Sequence, residues 1–435
     1  MRATIDRLVA AIARLVVLGF HRRFEVVGEP PPRDRPVLVV ANHFNGFVDP
    51  VAVTAAVGRL PRFLAKATLW RIWPLRPLLA LGGVIPIARR VDGSTAANTS
   101  AFAAAHRVLA GAGTVAVFPE GTTHDELELA PIRTGAARIA LGARAAGISG
   151  LVVVPVGLTF EAKLVLRSRL LVRVGPPLDL DALVSELGAG PDPGEDDHAA
   201  VRALTDRIRT ELGAVSPRYV SVGEHHALRL AAEVAVRPPG GESVPMAESE
   251  TLAQRLADGP AADRARVVDA VARYHLELSA LRLDDRGFVA RRQPRRLLTG
   301  LVRTGVLVAL ASLFALVGVA VNAVPALAVV AAGRSVRVPV TKGTVRILVA
   351  AVAFPLAWFG VAALLVDGVG RIVLVGAGFA VAGLLYVWTA ESVAAVVHGW
   401  RAWQRRTEAR GVLEPVVEQR RAVVEAVASA TAATR

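Results

Sequence analysis

The sequence predicts an α/β domain with a central, largely parallel sheet flanked by helices, followed by a helical connector and C-terminal transmembrane helices. Three observations carry this. Short runs rich in β-branched residues alternate with Ala-rich helical stretches across residues 24–190, the pattern of successive strand–helix–strand units. Residues 191–298 are mixed in polarity, with helical spacing and no strand pattern. Three uncharged apolar stretches then follow within 299–392, two of them close to the twenty or so residues that one bilayer crossing needs.

Composition narrows the class. The 435 residues are 53% hydrophobic with a net charge of +14, which suits an anionic membrane surface or nucleic acid. Aromatic residues, at 5%, are too sparse for base stacking, so no nucleic-acid partner is expected. Lysine occurs only at Lys66, Lys163 and Lys342. Nearly all basic charge is therefore Arg, and the dominance of Ala, Arg and Val looks like base bias in the coding sequence rather than a functional signal. The absence of Cys excludes disulfides, thiolate metal sites and thiol nucleophiles. No signal peptide is expected at the N-terminus: Arg14 interrupts its apolar run and no small-residue cleavage site follows,. The α/β domain is expected on the cytoplasmic side.

Taken in order, residues 1–23 form an amphipathic helix, with Ile5, Leu8, Val9, Ile12, Leu15 and Val16 at helical spacing,. It packs on its own domain or lies among lipid headgroups. Phe24–Val27 is a short strand, and a Pro-rich loop leads into Val37–Val40, a buried strand. Phe63–Lys66 is a strand end. Trp70, Ile72, Trp73, Leu75, Leu78 and Leu79 predict an apolar helix. Residues 82–90 form a strand ending in the cations Arg89 and Arg90, and Thr99–Ala112 a helix. Thr114–Phe118 is a strand running into Pro119-Glu120-Gly121-Thr122-Thr123-His124-Asp125. Residues 136–146 are helical, and Leu151–Val156 and Leu170–Val174 are strands.

The candidate chemistry lies where the central strand breaks. His43 sits in the turn after it, and Asp49-Pro50 opens a helix with a good N-cap and a favourable first residue,. An imidazole held by a carboxylate is the basic unit of general-base catalysis. Alone, the pair reads equally as a turn residue and a helix cap. Arg89 and Glu120 also follow strands, and in parallel sheets the site lies at the strand ends. Lys66 is a retained lysine in an Arg-rich chain, which hints at a compact ammonium. His225-His226 reads as a solvated pair on a helix, and no metal set can be assembled.

Four blocks in order resemble the glycerolipid acyltransferase family, which includes glycerol-3-phosphate and lysophosphatidate acyltransferases: Asn42-His43 to Asp49, Gly83 to Arg89, Phe118-Pro119-Glu120-Gly121-Thr122, and Val154-Pro155-Val156-Gly157. Five residues separate His43 from Asp49 where the family most often has four. This spacing looks like the branch that includes fungal-type glycerol-3-phosphate/dihydroxyacetone-phosphate acyltransferases. Thr123 stands where many lysophosphatidate-type members carry Arg, and Arg133 is the candidate replacement.

The resemblance implies transfer of a fatty acyl group from acyl-CoA or acyl carrier protein, as co-substrate, to a hydroxyl of glycerol-3-phosphate or dihydroxyacetone phosphate; lysophosphatidate is the alternative acceptor. It implies catalytic His43 and Asp49, and substrate binding by Lys66, Arg89, Glu120, Gly121, Thr122 and Arg133. Glu120 would orient glycerol hydroxyls or the turn itself. No cofactor or metal is implied; the partners are membrane lipids, the acyl donor and the glycerol phosphate or lysophospholipid acceptor. The rival reading is a membrane-anchored scaffold with a degenerate acyltransferase domain.

In the second half, a basic collar (Arg291, Arg292, Arg295, Arg296, Arg303) precedes the first apolar stretch. That stretch contains Asn322 and Pro325 and has basic residues on both flanks. A single crossing would put one flank outside, against the positive-inside tendency. A re-entrant hairpin over 304–332 is therefore expected, followed by spans at 347–366 and 372–390 and a basic helical tail over 393–435. The expected location is a multi-pass position in the cell membrane.

Overall fold

The computed structural model describes residues 2–72, 75–88, 98–124, 128–186, 193–239, 243–289, 294–409, 411 and 413–432. Two compact units emerge: residues 1–218 with 339–344, and residues 219–338 with 345–435.

The first unit holds the sheet. Its elements are α1 (Arg2–Phe20), β1 (Arg23–Val27), β2 (Val37–Ala41), α2 (Val48–Val57), β3 (Arg62–Lys66), a 3-10 turn (Ala67–Arg71), α3 (Arg76–Leu81), β4 (Ile85–Ile87), α4 (Asn98–Ala110), β5 (Thr114–Val117), α5 (Gly135–Ala145), β6 (Val152–Phe160), β7 (Arg169–Val174), β8 (Leu178–Asp179), α6 (Leu180–Glu186) and α7 (His198–Val215). The strand order is β1-β7-β6-β2-β5-β3-β4, with β8 beside β6. Pairing is parallel except where β7 and β8 run antiparallel to β6. Every residue of β2 and β6 is buried, as their unbroken apolar composition requires of strands covered on both faces.

One core gathers Leu109, Ile139 and Leu141 with Leu204 and Ile208 against Leu38, Val115 and Val153. The small side chains of α4 and α5 let these helices lie close to the sheet. Helix α7 belongs to this core, so the connector expected from 191 begins one helix later. Gly157 shows why: a Cβ there would lie 1.9 Å from the Val215 carbonyl oxygen at the end of α7. Of the helix expected across Trp70–Leu79, the described residues form the 3-10 turn and the short α3, and Trp73 lies outside them. The Arg76 Nε donates to the Trp70 carbonyl across that join.

Helix α1 buries its small face, Ala10, Ala13 and Val17, and exposes Ile5, Leu8, Ile12 and Leu15. Its C-terminus is held by Arg167, whose guanidinium donates to the carbonyls of Leu18, Gly19 and His21, which would otherwise be unpaired. His21 lies buried beside this contact, its Nδ1 3.3 Å from the Ser168 carbonyl. Glu161, seven residues before Ser168, pairs with Arg22 and Arg169.

The second unit is helical: α8 (Val222–Val236), α9 (Met246–Ala257), α10 (Ala261–Ala280), α11 (Asp285–Val289), α12 (Pro294–Ser335), α13 (Pro339–Leu365, beyond its first turns), α14 (Val369–Glu408) and α15 (Leu413–Ala432). His225 is buried, not solvated; its ring lies 4.3 Å from that of Tyr219. Asp285 is buried and accepts from Tyr274, Arg237 and Arg420. These contacts fasten α15 to the connector helices.

Among the described residues, three helices are long and apolar enough to cross a membrane: Leu316–Ser335 within α12, Thr341–Leu365 within α13, and α14. The re-entrant hairpin expected over 304–332 is not formed, because α12 runs unbroken through Pro325. Asn322, expected to mark the bend, is satisfied inside the helix layer. Its Nδ2 donates to the carbonyls of Gly318 and Phe379, and its Oδ1 accepts from the Trp358 indole. A polar group so paired costs little in an apolar setting. Helices α12 and α14 pack antiparallel: Asn322 meets Phe379 mid-helix, and Gly287 in α11, just before α12, meets Ala402 near the end of α14. The expected tail over 393–435 is likewise corrected. Residues 393–408 continue α14, and only α15 is a separate helix.

Buried His21 and half-buried Glu161 make the first unit sensitive to acid. Burial, aided by the Arg167 charge and opposed by the Ser168 hydrogen bond, lowers His21 from 6.5 to about 4. Burial alone would raise Glu161, but the charge and hydrogen bonds of Arg169, with Arg22 beyond, bring it down to about 2. Between pH 6.5 and 4 the unfolded chain binds a proton at His21 that the folded chain does not, so stability falls as the pH is lowered through that window,. The Glu161 contribution is lost only lower, from about 4.5 downward. His21 accounts for a loss on the order of 2–3 kcal/mol between pH 7 and 4.5. In His21→Gln, the drop in melting temperature between these two pH values should shrink by several degrees in detergent; an equal drop in both proteins would refute the assignment.

Candidate active site

Strand register builds the site. Val40 of β2 pairs with Val117 of β5. Counting three residues on from each brings His43 level with Glu120. Phe63 of β3 pairs with Ala116, so Lys66 ends its strand level with Pro119, at the same carboxyl edge. Arg89 lies outside the described residues.

The main chain continues the ladder past β2 through a side chain. The Asn42 Nδ2 donates to the Leu158 carbonyl at 2.9 Å, and its Oδ1 accepts from the Leu158 N–H at 2.7 Å. The amide thus replaces a peptide unit opposite β6. This frees the backbone to turn, and His43 leaves the sheet at its edge.

Asp49 is fully buried in the first turn of α2, where it does not cap the helix as its position suggested. The N-cap is Phe47, with no side-chain bond. The Asp49 Oδ2 instead lies 2.8 Å from the His43 Nδ1 and accepts from the Asn45 N–H at 2.7 Å. The turn between them bends through Gly46 at φ 53°, absorbing the fifth intervening residue. The His43 ring stacks on Phe118, with centroids 4.2 Å apart and planes 17° off parallel, and Phe118 in turn stacks on Phe63. With Nδ1 turned to the carboxylate, that nitrogen carries the proton, and Nε2 is left as the acceptor. Nε2 has no protein partner among the described residues, and the side chain keeps 17% of its surface exposed. The arrangement can accept a proton from a group approaching the sheet edge.

Glu120 is buried. Its carboxylate accepts from the His43 N–H at 2.7 Å, from the Ala130 N–H at 2.8 Å, and from the His124 Nε2. Of the two expected tasks, ordering the turn is the one its contacts perform; its oxygens are occupied by the protein. Gly121 turns at φ 69°, and a Cβ there would sit 2.7 Å from the Arg133 Nε. The Arg133 N–H donates to the Pro119 carbonyl. Its side chain is exposed and makes no hydrogen bond among the described residues. Thr122 is exposed beside it.

Residues 23–159 match the family described as Acyltransferase. That stretch is similar to an acyltransferase domain. Over 111 residues, 25% of this chain, it is 37% identical to glycerol-3-phosphate O-acyltransferase 2 of Saccharomyces cerevisiae, and the match spans 14% of the yeast protein. Among solved structures it resembles the 1-acyl-sn-glycerophosphate (LPA) acyltransferase PlsC of Thermotoga maritima. That match has 21% identity and a TM-score of 0.34, and it covers 49% of this chain and 80% of the other.

Three residues of the first unit escape sequence reasoning as parts of this arrangement. Phe118 reads as a strand end and the first residue of a motif block, without its stacking task. Asn42 was read as part of a motif, without its bridging task. Lys163 donates to the carbonyls of Phe44 and His124. The scarcity that singled out Lys66 applied equally to Lys163, but Lys163 lies 120 residues from His43 (163 − 43) with no motif around it.

Asn42→Ala would leave the buried Leu158 N–H and carbonyl without partners, at a cost of about 2–4 kcal/mol. A clearly lowered melting temperature in detergent is expected; a melt unchanged within about 1 °C would contradict the bridging role.

Proposed function

We propose that this chain is a membrane-bound O-acyltransferase of glycerolipid synthesis, moving a fatty acyl group from acyl-CoA or acyl carrier protein to a hydroxyl of glycerol-3-phosphate or dihydroxyacetone phosphate. The observation that carries the reading is the His43–Asp49 pair at the sheet edge, with Nε2 unpartnered among the described residues. His43 Nε2 takes the hydroxyl proton as the oxygen attacks the thioester carbonyl. The tetrahedral adduct collapses, the thiolate leaves, and the imidazolium returns the proton to it. Asp49 holds the ring and stabilises the imidazolium between these steps. Its second oxygen, Oδ1, is buried without a hydrogen-bond partner, so its charge is weakly screened and acts strongly on the ring.

For the acceptor phosphate, Lys66, Arg89 and Arg133 are the proposed cations, with Gly121 and Thr122 on the turn beside Arg133. Cations suit a phosphate dianion. The exposed Arg133 beside Gly121 supports the suggestion that it stands in for the cation missing at Thr123. Likeness to the yeast glycerol-3-phosphate O-acyltransferase supports glycerol-3-phosphate as acceptor.

The proposed location is the cell membrane, with the acyltransferase domain on the cytoplasmic face. Antiparallel packing of α12 and α14 supports one part of this. Arg295, Arg296 and Arg303 near the start of α12 then lie toward the same end as Arg401, Arg405 and Arg406 of α14, and basic flanks favour the cytoplasm.

The test is acyl transfer by the detergent-purified protein from radiolabelled acyl-CoA, and in parallel from acyl carrier protein. Glycerol-3-phosphate, dihydroxyacetone phosphate and lysophosphatidate are offered separately. Acylation of glycerol-3-phosphate or dihydroxyacetone phosphate is expected, falling by about 10²–10⁴-fold in His43→Ala. Acylation of lysophosphatidate alone would replace the acceptor assignment. Full activity in His43→Ala would remove the general base, and no transfer from either donor would favour a scaffold.

A further inference from the structure

We propose that Glu120 and His124 form a second carboxylate–imidazole pair that positions the His43 loop through its main chain and does not touch substrate. The inference rests on the reading of His43 as general base. Glu120 is 2% exposed, so its carboxylate is not offered to a ligand. One of its oxygens receives the His43 N–H at 2.7 Å. The other receives the His124 Nε2 and the Ala130 N–H. The His124 N–H lies 3.4 Å from the His43 carbonyl oxygen. Both sides of His43's own backbone are therefore held by Glu120 and His124.

The same two loops are tied again one residue on. Lys163 Nζ donates to the Phe44 carbonyl at 3.3 Å and to the His124 carbonyl at 3.0 Å. The Phe44 ring meets the His124 ring edge-on, with centroids 5.1 Å apart. The tautomer of His124 follows from its surroundings. Nδ1 is buried without a partner, so the ring proton belongs on Nε2, where the carboxylate receives it. His124 is thus a donor to Glu120, and Glu120 an acceptor for three donors from three separate segments. Removing one donor lets the carboxylate swing, and the His43 peptide moves with it. A base displaced by a fraction of an ångström loses rate without losing substrate affinity.

The pair His124→Gln and His124→Asn tests this, because the two amides carry the same donor and differ in reach by one methylene. Gln reaches Glu120 and Asn falls short. Transfer rates are measured with kcat and acceptor KM separated, beside parent and His43→Ala. His124→Asn is expected to lower kcat by about 10–100-fold with KM within about two-fold, and His124→Gln to recover to within about three-fold of parent. Glu120→Asp, which shortens the same contact from the other side, should share the kcat loss and stands in if His124→Asn does not fold. A folded His124→Asn with parent kcat, or one whose loss lies in KM, overturns the proposal, as does a Gln variant no better than Asn. Activity retained in His43→Ala would instead strike the general-base reading, so the two failures are distinguishable.

Discussion

Everything at the sheet edge depends on one buried carboxylate. Asp49 is completely shielded from solvent, and a single oxygen serves both the His43 ring and the Asn45 amide. A desolvated charge of this kind is tolerated only when donors are fixed around it. The turn from β2 to α2 supplies them, bending through Gly46 so that the ring and the amide converge. The Phe118 ring beneath completes the seat. The strand, the turn and the first turn of the helix are thus a single device for aiming one nitrogen outward.

The rest of the first unit keeps that device in place. Parallel register of β2 and β5 sets Glu120 opposite His43. Asn42 stitches the end of β2 to β6. These contacts join strands distant in sequence, which is why the site needs the whole sheet and not merely its motifs. The apolar helices of the second unit have their own internal logic. Asn322 finds partners on α12 and α14 and accepts from Trp358 of α13, so a polar residue that looked like a breaking point is instead a joint between helices.

Much of this was legible in the residues themselves. The alternation of β-branched runs and Ala-rich stretches identified the parallel sheet, and the break after Val37–Val40 located His43. Helix boundaries were less legible where tertiary contacts decide them. Pro325 suggested a bend, but α12 continues through it. Trp70–Leu79 had helical apolar content, yet its described residues fold as a 3-10 turn and a short helix. His225 read as exposed because its burial depends on Tyr219 and on Glu250, 25 residues along (250 − 225). Lys163 carried a compositional signal that spacing alone could not attach to the site. Asp49 illustrates both sides: its partner His43 followed from the sequence, while its expected capping role did not survive, because the carboxylate turns toward the ring.

The most direct test of the central claim is Asp49→Asn, which keeps the shape of the side chain and removes its charge. If Asp49 fixes the His43 proton on Nδ1 and stabilises the imidazolium, kcat for acyl transfer should fall by about 10²–10⁴-fold with acceptor KM little changed. A folded variant with parent kcat would contradict the account, since His43 would then act without the carboxylate on which the site is built.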